Sequence, residues 1–430
     1  MNVNIIKGTI MILIKNANLF NGTDEKLIQN VNVVIENNIV IKITKDAVDE
    51  STIEKVIDAN GHTVMPGLID AHVHITLSEA PHILDTMTTE EIAIRSAKVA
   101  EGMLMRGFTS VRDVAGNTTG LKVSIDNGYA TGPRIFPSQA AISQTSGHSD
   151  YRQNRGQKRF NNHEDSPLMK TGAFTIADGR AEVLKAVREQ LFMGASQIKI
   201  MAGGGASSIF DPLDTLQYTL DELKAAVEAA SDYGTYVAAH IHTTDAMKRA
   251  AEAGIMSFEH ATIMDEDVAQ TIKDKGIFVI PSYFTSSLIA ERKIPLGSEV
   301  LYQKTERVGK AMLRSAELIK KYEIENICYG TDCVGTLNVH ATQSSELEAI
   351  EKVFDSLTAL KMATSNCGRL FELSTYQHPY QEGKIGQLVE GAYADLLIID
   401  GNPLEGVACV VNPETQKVIM KDGVMYKNAF

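Results

Sequence analysis

The sequence has 430 residues, 44% hydrophobic and 22% charged, which allows a large buried core and excludes a fibrous or extensively disordered protein. Its formal net charge of -13 would repel nucleic-acid phosphates and anionic lipid, and no apolar run reaches the length of a membrane span, so neither nucleic acid nor membrane is an expected partner. The four cysteines are scattered, without the paired spacing of a zinc site or a disulfide framework, which predicts free thiols and a cytoplasmic location.

Short β-branched runs lie at both ends of the sequence, with Asn, Asp and Gly turns between them. Residues 1–65 contain ILIKNANLF and VNVVIENNIVIKITKD, and residues 377–430 contain GQLVEGAYADLLIIDGNPL and CVVNPETQKVIMKDGVMY. This pattern is typical of small antiparallel sheets. We therefore expect the two terminal regions to form one small β-sandwich. The first strand fits a start at Met11 as well as one at Met1.

Residues 66–376 alternate between short apolar runs and longer helical stretches such as TLDELKAAVEAASDYG. The runs are GLIDAHVHI, GFTSVRDV, PRIFPSQA, ASQIKIMA, YVAAHIH, MSFEHAT, IFVIPSY and ENICYGTD. Eight β-α units close a parallel barrel, so an α/β fold with a (β/α)8 TIM-like barrel is predicted. The polar segment 150–170 has no period, and it fits either a mobile lid over the site or a plain solvated insertion.

Four histidines lie at the ends of these predicted strands. His72 and His74, in IDAHVHI, are two positions apart and therefore lie on one face of a strand, where they would offer two imidazoles to a metal ion. His240 in VAAHIH and His260 in SFEHAT end later runs on the side where barrel enzymes build their sites. Each of these residues, taken singly, also fits an ordinary buried core histidine.

Two further charged residues lie in similar places. Lys199 is in the middle of the apolar run SQIKIMAGGG, where an unpaired ammonium is costly to bury. A salt bridge, a Schiff-base lysine of depressed pKa, or a carbamate able to bridge two metal ions would each explain it. Asp332 in ICYGTD closes the last run, as a metal-binding and proton-transferring carboxylate or as an ordinary helix-start residue. Together the six positions would converge at the barrel mouth.

These motifs make the chain similar to the amidohydrolase superfamily over nearly its whole length. The resemblance is carried by PGLIDAHVH, the lysine of KIMAGGG, AAHIH, FEH, GTD and the C-terminal GQLVEGAYADLLIID. The chain resembles the binuclear branch with a carboxylated lysine, which contains prolidase-like dipeptidases, metal-dependent carboxypeptidases and ochratoxin-hydrolysing amidases. That likeness implies two divalent ions, preferably zinc, although manganese, cobalt or iron would also suit such ligands.

The resemblance also implies a role for each of the six residues. One ion would be held by His72, His74 and Asp332, the other by His240 and His260, and Lys199, N6-carboxylated, would bridge them. The two ions would activate a bridging hydroxide that attacks the substrate carbonyl. Asp332 would take its proton and deliver it to the leaving amine.

Three more residues are candidates for contact with substrate. His148 in QTSGHSD matches a strand-3 turn of the branch, except that Ser146 stands where the branch has glycine. Tyr218 in LQYTLDEL falls where relatives bind the substrate carboxylate. His242 shares a strand face with His240 and would steady the carbonyl oxygen in the transition state, in addition to binding substrate. A turn cap, a core edge and a loop hydrogen bond are the respective structural alternatives.

Several smaller features complete the set of expectations. Arg112 and Asp113 are predicted to form a structural ion pair, and the glycines of MAGGG to give tight backbone near the metal centre rather than a phosphate cradle. The predicted reaction is hydrolysis of dipeptides or N-acyl amino acids. The alternatives are an imidazolonepropionase-like cyclic amide hydrolase, a deaminase, and a non-catalytic scaffold. A homo-oligomer is expected from the branch.

Overall fold

The computed structural model describes residues 9–150, 152, 169, 172–284, 287 and 298–430. Most of the predicted lid at 150–170 lies outside them. The strands are β1 (Met11–Leu19), β2 (Ile28–Glu36), β3 (Ile39–Thr44), β4 (Lys55–Asp58), β5 (Thr63–Pro66), β6 (Leu68–Val73), β7 (Phe108–Asp113), β8 (Arg134–Pro137), β9 (Ala141–Ser143), β10 (Phe174–Ile176), β11 (Ile198–Met201), β12 (Val237–Thr243), β13 (Ser257–Ile263), β14 (Phe278–Ile280), β15 (Leu396–Ile399), β16 (Gln416–Lys421) and β17 (Val424–Asn428).

The α-helices lie mainly between the parallel strands. They span Pro81–Leu84, Thr89–Met105, Thr119–Asp126, Gly179–Phe192, Leu220–Asp232, Thr244–Ala253, Glu266–Lys275, Glu299–Lys321, Leu337–His340, Ser345–Val353, Ser356–Lys361, Cys367–Glu372 and Ala408–Val411. A π-helical turn, Met362–Asn366, joins two of them. The helix Leu220–Asp232 shows why the predicted pattern forms a helix: Thr219 and Glu222 make a capping box at its start, and alanines with Leu223 form its buried face.

The two chain ends build one sheet with the order β17-β16-β15-β5-β1-β2-β3, in which β4 also pairs with β1. Strand β15 runs antiparallel to β5, and this pairing brings the C-terminal strands onto the N-terminal ones, as the sequence predicts. Most pairs of this sheet are antiparallel, as the pattern indicates, but β1 is parallel to both β4 and β5. The two-layer sandwich and the domain boundaries at 65 and 377 stay predictions.

The middle of the chain forms two parallel sheets, β6-β7-β8 and β10-β9-β11-β12-β13-β14, which confirms the predicted α/β class. The third predicted run forms only β8, because Gln139 near its end has a φ of 60° and interrupts the extended backbone, and β9 begins just after the run. The eighth run is not a regular strand. It is an extended segment whose Cys328 amide donates to the Val279 carbonyl at 2.9 Å, while its Tyr329 carbonyl accepts from the Ala71 amide at 2.9 Å.

A buried arginine joins the terminal sheet to the parallel strands. The guanidinium of Arg134, at the start of β8, donates to Asp395 at 2.8 Å and to Asp422 at 2.6 Å. Its carbon lies 3.8 Å from the ring centroid of Tyr393. The buried positive charge of Arg134 is therefore paired with two carboxylates and stacked on an aromatic ring. Such partners offset the cost of removing a guanidinium from water.

The helices and the cysteines can both be compared with what the sequence predicts. Within the described ranges, none of the helices has both the length and the apolar character that crossing a bilayer requires. The four cysteines carry free thiols, as predicted, and Cys328, Cys333 and Cys367 are buried.

Candidate metal centre

The predicted ligands meet at the carboxyl ends of the parallel strands. His72 lies on β6, His240 on β12 and His260 on β13, while His74 and Asp332 directly follow extended segments. Carboxyl ends of parallel strands share one edge of a sheet, so side chains far apart in sequence come together there. Two groups of three residues each bring their ligand atoms within 4.8 Å of one another.

The first group is His72, His74 and Asp332. The Nε2 atoms of the two histidines lie 3.3 Å apart. Asp332 Oδ1 is 3.4 Å from His72 Nε2 and 3.0 Å from His74 Nε2. Asp332 has a φ of 53°, and its amide donates to the His72 carbonyl at 2.9 Å. The strained backbone is thus held in place by the strand that carries the first histidine.

Asp332 is ionised in this arrangement. Burial by itself would raise its pKa, but the charge of His72 and hydrogen bonds with His72 and His74 hold the pKa well below its usual range. Its side chain is 30% exposed, whereas those of His72 and His74 are 1% and 9% exposed. The carboxylate therefore lies on the open side of the group, where a substrate would approach.

The second group is His240, His242 and His260. The His260 ring lies 5.1 Å from that of His72, so the two groups adjoin. His240 Nε2 is buried and has no hydrogen-bond partner in the part of the chain that the structure describes. An orphaned buried imidazole nitrogen is costly, and a metal ion would satisfy it. The donor set of both groups, imidazoles with one carboxylate, suits a divalent ion such as zinc.

His242, which the sequence predicts to contact substrate, is itself a member of this second group. Its ring stacks on that of His260 with centroids 4.9 Å apart and 17° between the planes. Its Nδ1 is 2.9 Å from the hydroxyl of Thr262. Burial lowers the pKa of His242 to about 3, so the imidazole is neutral. A neutral ring with one nitrogen already paired leaves Nε2 for a substrate atom or an ion.

Lys199 is buried on β11, as predicted. Burial lowers the pKa of its ammonium to about 8, although Glu259 and Asp332 oppose that shift. Among the residues that the structure describes, no side chain forms an ion pair with Lys199, so the salt-bridge alternative finds no support. At a pKa of about 8 a minor fraction of the amine is neutral at neutral pH, and this neutral form reacts with carbon dioxide or a carbonyl group.

Sequence reasoning missed Glu259, which directly precedes His260. Its carboxylate is buried and lies 2.7 Å from His72 Nδ1, on the side of the ring away from Asp332. A carboxylate only accepts hydrogen bonds, so it holds the proton on Nδ1 and leaves Nε2 free for a ligand. The sequence motif FEH already pointed to this role. A buried carboxylate in an apolar strand needs a hydrogen-bond or charged partner, for the same reason that a buried lysine does.

The partner of Arg112 is Glu259, so the predicted ion pair of Arg112 with Asp113 is wrong. The Arg112 Nη2 atom lies 2.8 Å and 2.9 Å from the two Glu259 oxygens. Neighbouring residues of a strand point to opposite faces, and Asp113 instead accepts from the Ile75 amide at 2.9 Å. Arg112 thus supports the glutamate that orients His72.

Asp70 was also missed, and it ties β6 to the segment that ends at Asp332. It accepts hydrogen bonds from the His72 amide at 3.1 Å and from the Thr331 hydroxyl at 2.7 Å. Gln343 donates to the same carboxylate at 2.9 Å. Because the first donor belongs to His72 and the second directly precedes Asp332, Asp70 ties the backbones of two predicted ligands together.

The remaining predicted substrate residues differ in their placement. The His148 ring stacks on that of His240, with centroids 4.2 Å apart and 15° between the planes. It therefore lies directly against the second group of potential ligands. Tyr218 is buried, and its hydroxyl donates to the Ala177 carbonyl at 2.9 Å. Its contact with a substrate carboxylate stays a prediction. Tight backbone at the triple glycine is present: a Cβ on Gly204 would lie 1.9 Å from the Pro212 carbonyl oxygen.

Comparison with known proteins gives a consistent result. Residues 63–425 match the model of the amidohydrolase family. Ochratoxinase of Aspergillus niger is 32% identical over 376 residues, which cover 85% of this chain and 75% of that protein. A prolidase crystallised with N-methylphosphonate-L-proline is 34% identical, with a TM-score of 0.88 and coverage of 97% of this chain and 100% of the other.

A Xaa-Pro dipeptidase with bound methionine is 30% identical, with a TM-score of 0.84 and coverage of 97% and 100% of the two chains. The family match spans the strands that carry both groups of potential ligands. The relatives are similar over nearly the whole fold, beyond the site itself. The chain belongs to the amidohydrolase family and is a hydrolase that acts on carbon–nitrogen amide bonds.

Proposed function

We propose that this enzyme hydrolyses the amide bond of dipeptides or N-acyl amino acids and releases a free amino acid. The observation that carries the proposal is the pair of adjoining groups of potential metal ligands. The ionised carboxylate of Asp332, which is 30% exposed, lies on the solvent side of these groups. A prolidase, a Xaa-Pro dipeptidase and an ochratoxinase among the relatives support an amide with an amino acid on one side.

In this proposal the centre would hold two divalent ions, zinc by preference. His72, His74 and Asp332 would hold one, His240 and His260 the other, and an N6-carboxylated Lys199 would supply an oxygen ligand to each. The buried, unpaired Nε2 of His240 and the depressed pKa of Lys199 support these assignments. When bound, such ions would lower the pKa of a shared water and polarise the substrate carbonyl.

Asp332 and His242 then perform the steps that belong to the protein. Asp332, ionised and facing the open side, accepts the proton of the attacking water and passes it to the leaving nitrogen. His242 assists if the Thr262 hydroxyl donates to its Nδ1, because the neutral ring then carries its hydrogen on Nε2. That hydrogen would stabilise the negative charge that grows on the carbonyl oxygen.

The wider architecture belongs to the proposal as well. We propose that the parallel strands and the segment up to Asp332 close a (β/α)8 barrel over residues 66–376. The hydrogen bonds of Cys328 to Val279 and of Ala71 to Tyr329 support closure, since they join β14 to β6 through the eighth run. Residues 1–65 and 377–430 would form the sandwich, and a cytoplasmic homo-oligomer remains the expectation from the cysteines and the family.

A substrate panel tests this function. Metal-loaded enzyme is incubated with dipeptides bearing proline, basic or aromatic C-terminal residues, with N-acyl amino acids, with a cyclic imidazolone and with an adenine nucleoside. We expect release of free amino acid from a chemically coherent subset, lost on chelation and restored by zinc. Ring opening or ammonia release alone would favour the alternative hydrolase or deaminase, and a metal-free, inactive protein would favour a scaffold.

Carboxylation of Lys199 predicts a signal that is independent of turnover. Metal-loaded enzyme equilibrated with ¹³C-bicarbonate should show a carbamate carbon resonance, because the neutral amine of this buried lysine captures carbon dioxide. The Lys199→Met variant should lack it, whereas Lys310→Met, which removes an exposed lysine, should retain it. Equal signals in Lys199→Met and the unmodified enzyme would contradict the bridging assignment.

A further inference from the structure

The loop between β11 and the helix Leu220–Asp232, residues 203–218, is interlocked with the turn that carries His148. The His148 amide donates to the side-chain oxygen of Gln217 at 2.8 Å. In return, the Tyr218 amide donates to the side-chain oxygen of Gln144. Each segment therefore supplies a glutamine to the backbone of the other, and the two are fixed as one unit beside the candidate metal centre.

Asp211 of this 203–218 loop determines which nitrogen of His148 carries the proton. Its Oδ2 lies 3.1 Å from His148 Nδ1 and accepts from the Gly205 amide at 2.7 Å. Burial alone would raise the pKa of Asp211, but the hydrogen bond and charge of His148 lower it, so the carboxylate is ionised and can only accept. Among the described residues, the hydrogen bonds of the ring are made by Nδ1, and Nε2 is left to face a ligand.

The imidazole of His148 is also closely packed. It stacks on His240, with centroids 4.2 Å apart. A Cβ added to Gly205 would lie 2.0 Å from the ring, so the ring also sits directly against bare backbone. Only a residue without a side chain leaves this space, which explains why a glycine stands at position 205.

Lys304 fixes the 203–218 loop itself. This residue extends from the helix Glu299–Lys321, and its Nζ donates to the carbonyls of Gly205 at 3.1 Å, Ser208 at 2.8 Å and Asp211 at 2.6 Å. A lysine ammonium has three hydrogens, and here each has a backbone acceptor. The lysine thus closes the loop around the carboxylate that orients His148.

We propose that Asp211 and Lys304 are positioning residues that hold the His148 imidazole, with Nε2 directed to the substrate, and thereby set substrate affinity. The proposal rests on the proposed function in one respect, which is that His148 contacts the substrate. Neither residue touches the ligand groups themselves, so their effect should be on binding rather than on the chemical step.

Asp211→Asn tests the carboxylate. We expect KM to rise about tenfold while kcat falls less than about threefold, because a charge-assisted hydrogen bond to a substrate-facing group is lost. The matched control is Asp214→Asn, which makes the same change on the same loop at an exposed residue paired with Arg307 at 2.6 Å. KM should not change in that variant. An unchanged KM in Asp211→Asn would overturn the proposal.

Lys304→Met tests the loop clamp by amide hydrogen exchange. Exchange of residues 203–211 should accelerate at least about tenfold, because three carbonyls lose their donor. Lys310→Met removes an exposed lysine of the same helix, paired with Glu306, and should leave exchange in this segment unchanged. Equal exchange in the two variants would contradict the clamp.

The ¹⁵N signals of His148 separate failure of this proposal from failure of the proposed function. With ¹⁵N-labelled histidine, His148→Gln identifies the resonances by their loss, and Nδ1 should carry the proton in the unmodified enzyme. Asp211→Asn should shift that signal toward the other tautomer, whereas Asp214→Asn should not. If no panel substrate is cleaved, the proposed function fails, but the tautomer shift still decides the role of Asp211. An unshifted signal would overturn it.

Discussion

Asp332→Asn is expected to lower kcat at least about 10³-fold on any substrate found with the panel, while the protein still folds. The amide has nearly the same shape but is neutral, so it cannot accept the proton of the attacking water. In the native protein His72 and His74 keep the Asp332 carboxylate ionised, and the exposed side of this carboxylate is available to a substrate. Steady-state kinetics measure the loss, and a denaturation curve verifies the fold.

Asp274→Asn is the matched control for this substitution. Asp274 is exposed on the helix Glu266–Lys275, accepts from Gln270 at 2.7 Å, and is not one of the predicted metal or substrate residues. Its variant should keep full activity. Metal analysis of Asp332→Asn then divides the two roles of the carboxylate: retained metal with lost kcat supports proton transfer, and lost metal supports ligation. Full activity in Asp332→Asn would show that neither role is correct.

Much of this site is predictable because strand periodicity and active-site placement follow from local sequence. An imidazole at the end of an apolar run must lie at the carboxyl edge of a parallel sheet if the run is a strand. That argument placed His72, His240 and His260 together without any knowledge of tertiary contacts. The burial of Lys199 followed in the same way, since its neighbours in the strand, Ile198, Ile200 and Met201, are apolar.

The features that sequence reasoning missed depend on long-range pairing. Arg112 and its true partner Glu259 are 147 positions apart, so no spacing rule joins them, whereas the adjacent Asp113 offered a local but incorrect partner. The extended segment at 327–332 has an apolar pattern like a strand, yet its backbone hydrogen bonds are divided among β14, β6 and Met362 and form no regular ladder with any of them. Only the fold determines such contacts.

The pairing of His242 shows a further limit. Strand alternation correctly places it on the same face as His240, but a shared face does not distinguish a ligand of an ion from a group that contacts substrate. That distinction depends on which nitrogen carries the hydrogen, and hence on Thr262, which is 20 positions away. The side chain chemistry of a histidine is therefore fixed by a hydroxyl that the motif does not contain.

Arg112→Met is expected to destabilise the protein by about 3–5 kcal/mol, because it leaves the carboxylate of Glu259 buried without its cation. In the native protein the guanidinium donates to Glu259, to the Ala71 carbonyl at 2.6 Å and to the Ser257 hydroxyl at 3.1 Å. Both charged side chains are 0% exposed, so water cannot replace the lost partner. Urea unfolding followed by fluorescence or circular dichroism measures the change.

A second variant separates loss of charge pairing from loss of packing. The double change Arg112→Met with Glu259→Gln should recover part of the stability, since removing both charges costs less than removing one. Arg314→Met, at an exposed residue 3.2 Å from Glu317, should change stability by less than about 0.5 kcal/mol. A double variant no more stable than Arg112→Met would assign the loss to packing.

The ion pair of Arg112 with Glu259 also predicts how the stability difference between the unmodified enzyme and Arg112→Met depends on pH. Burial alone would raise the pKa of Glu259, but Arg112, Lys199 and His72 together lower it below its usual range. A carboxyl whose folded pKa is depressed contributes stability that is complete above its unfolded pKa of about 4.3 and is lost as pH falls below that value. The stability gap between the unmodified enzyme and Arg112→Met should therefore be constant near neutral pH and narrow in acid. A gap that widened as pH fell would show that Glu259 is not held ionised by Arg112.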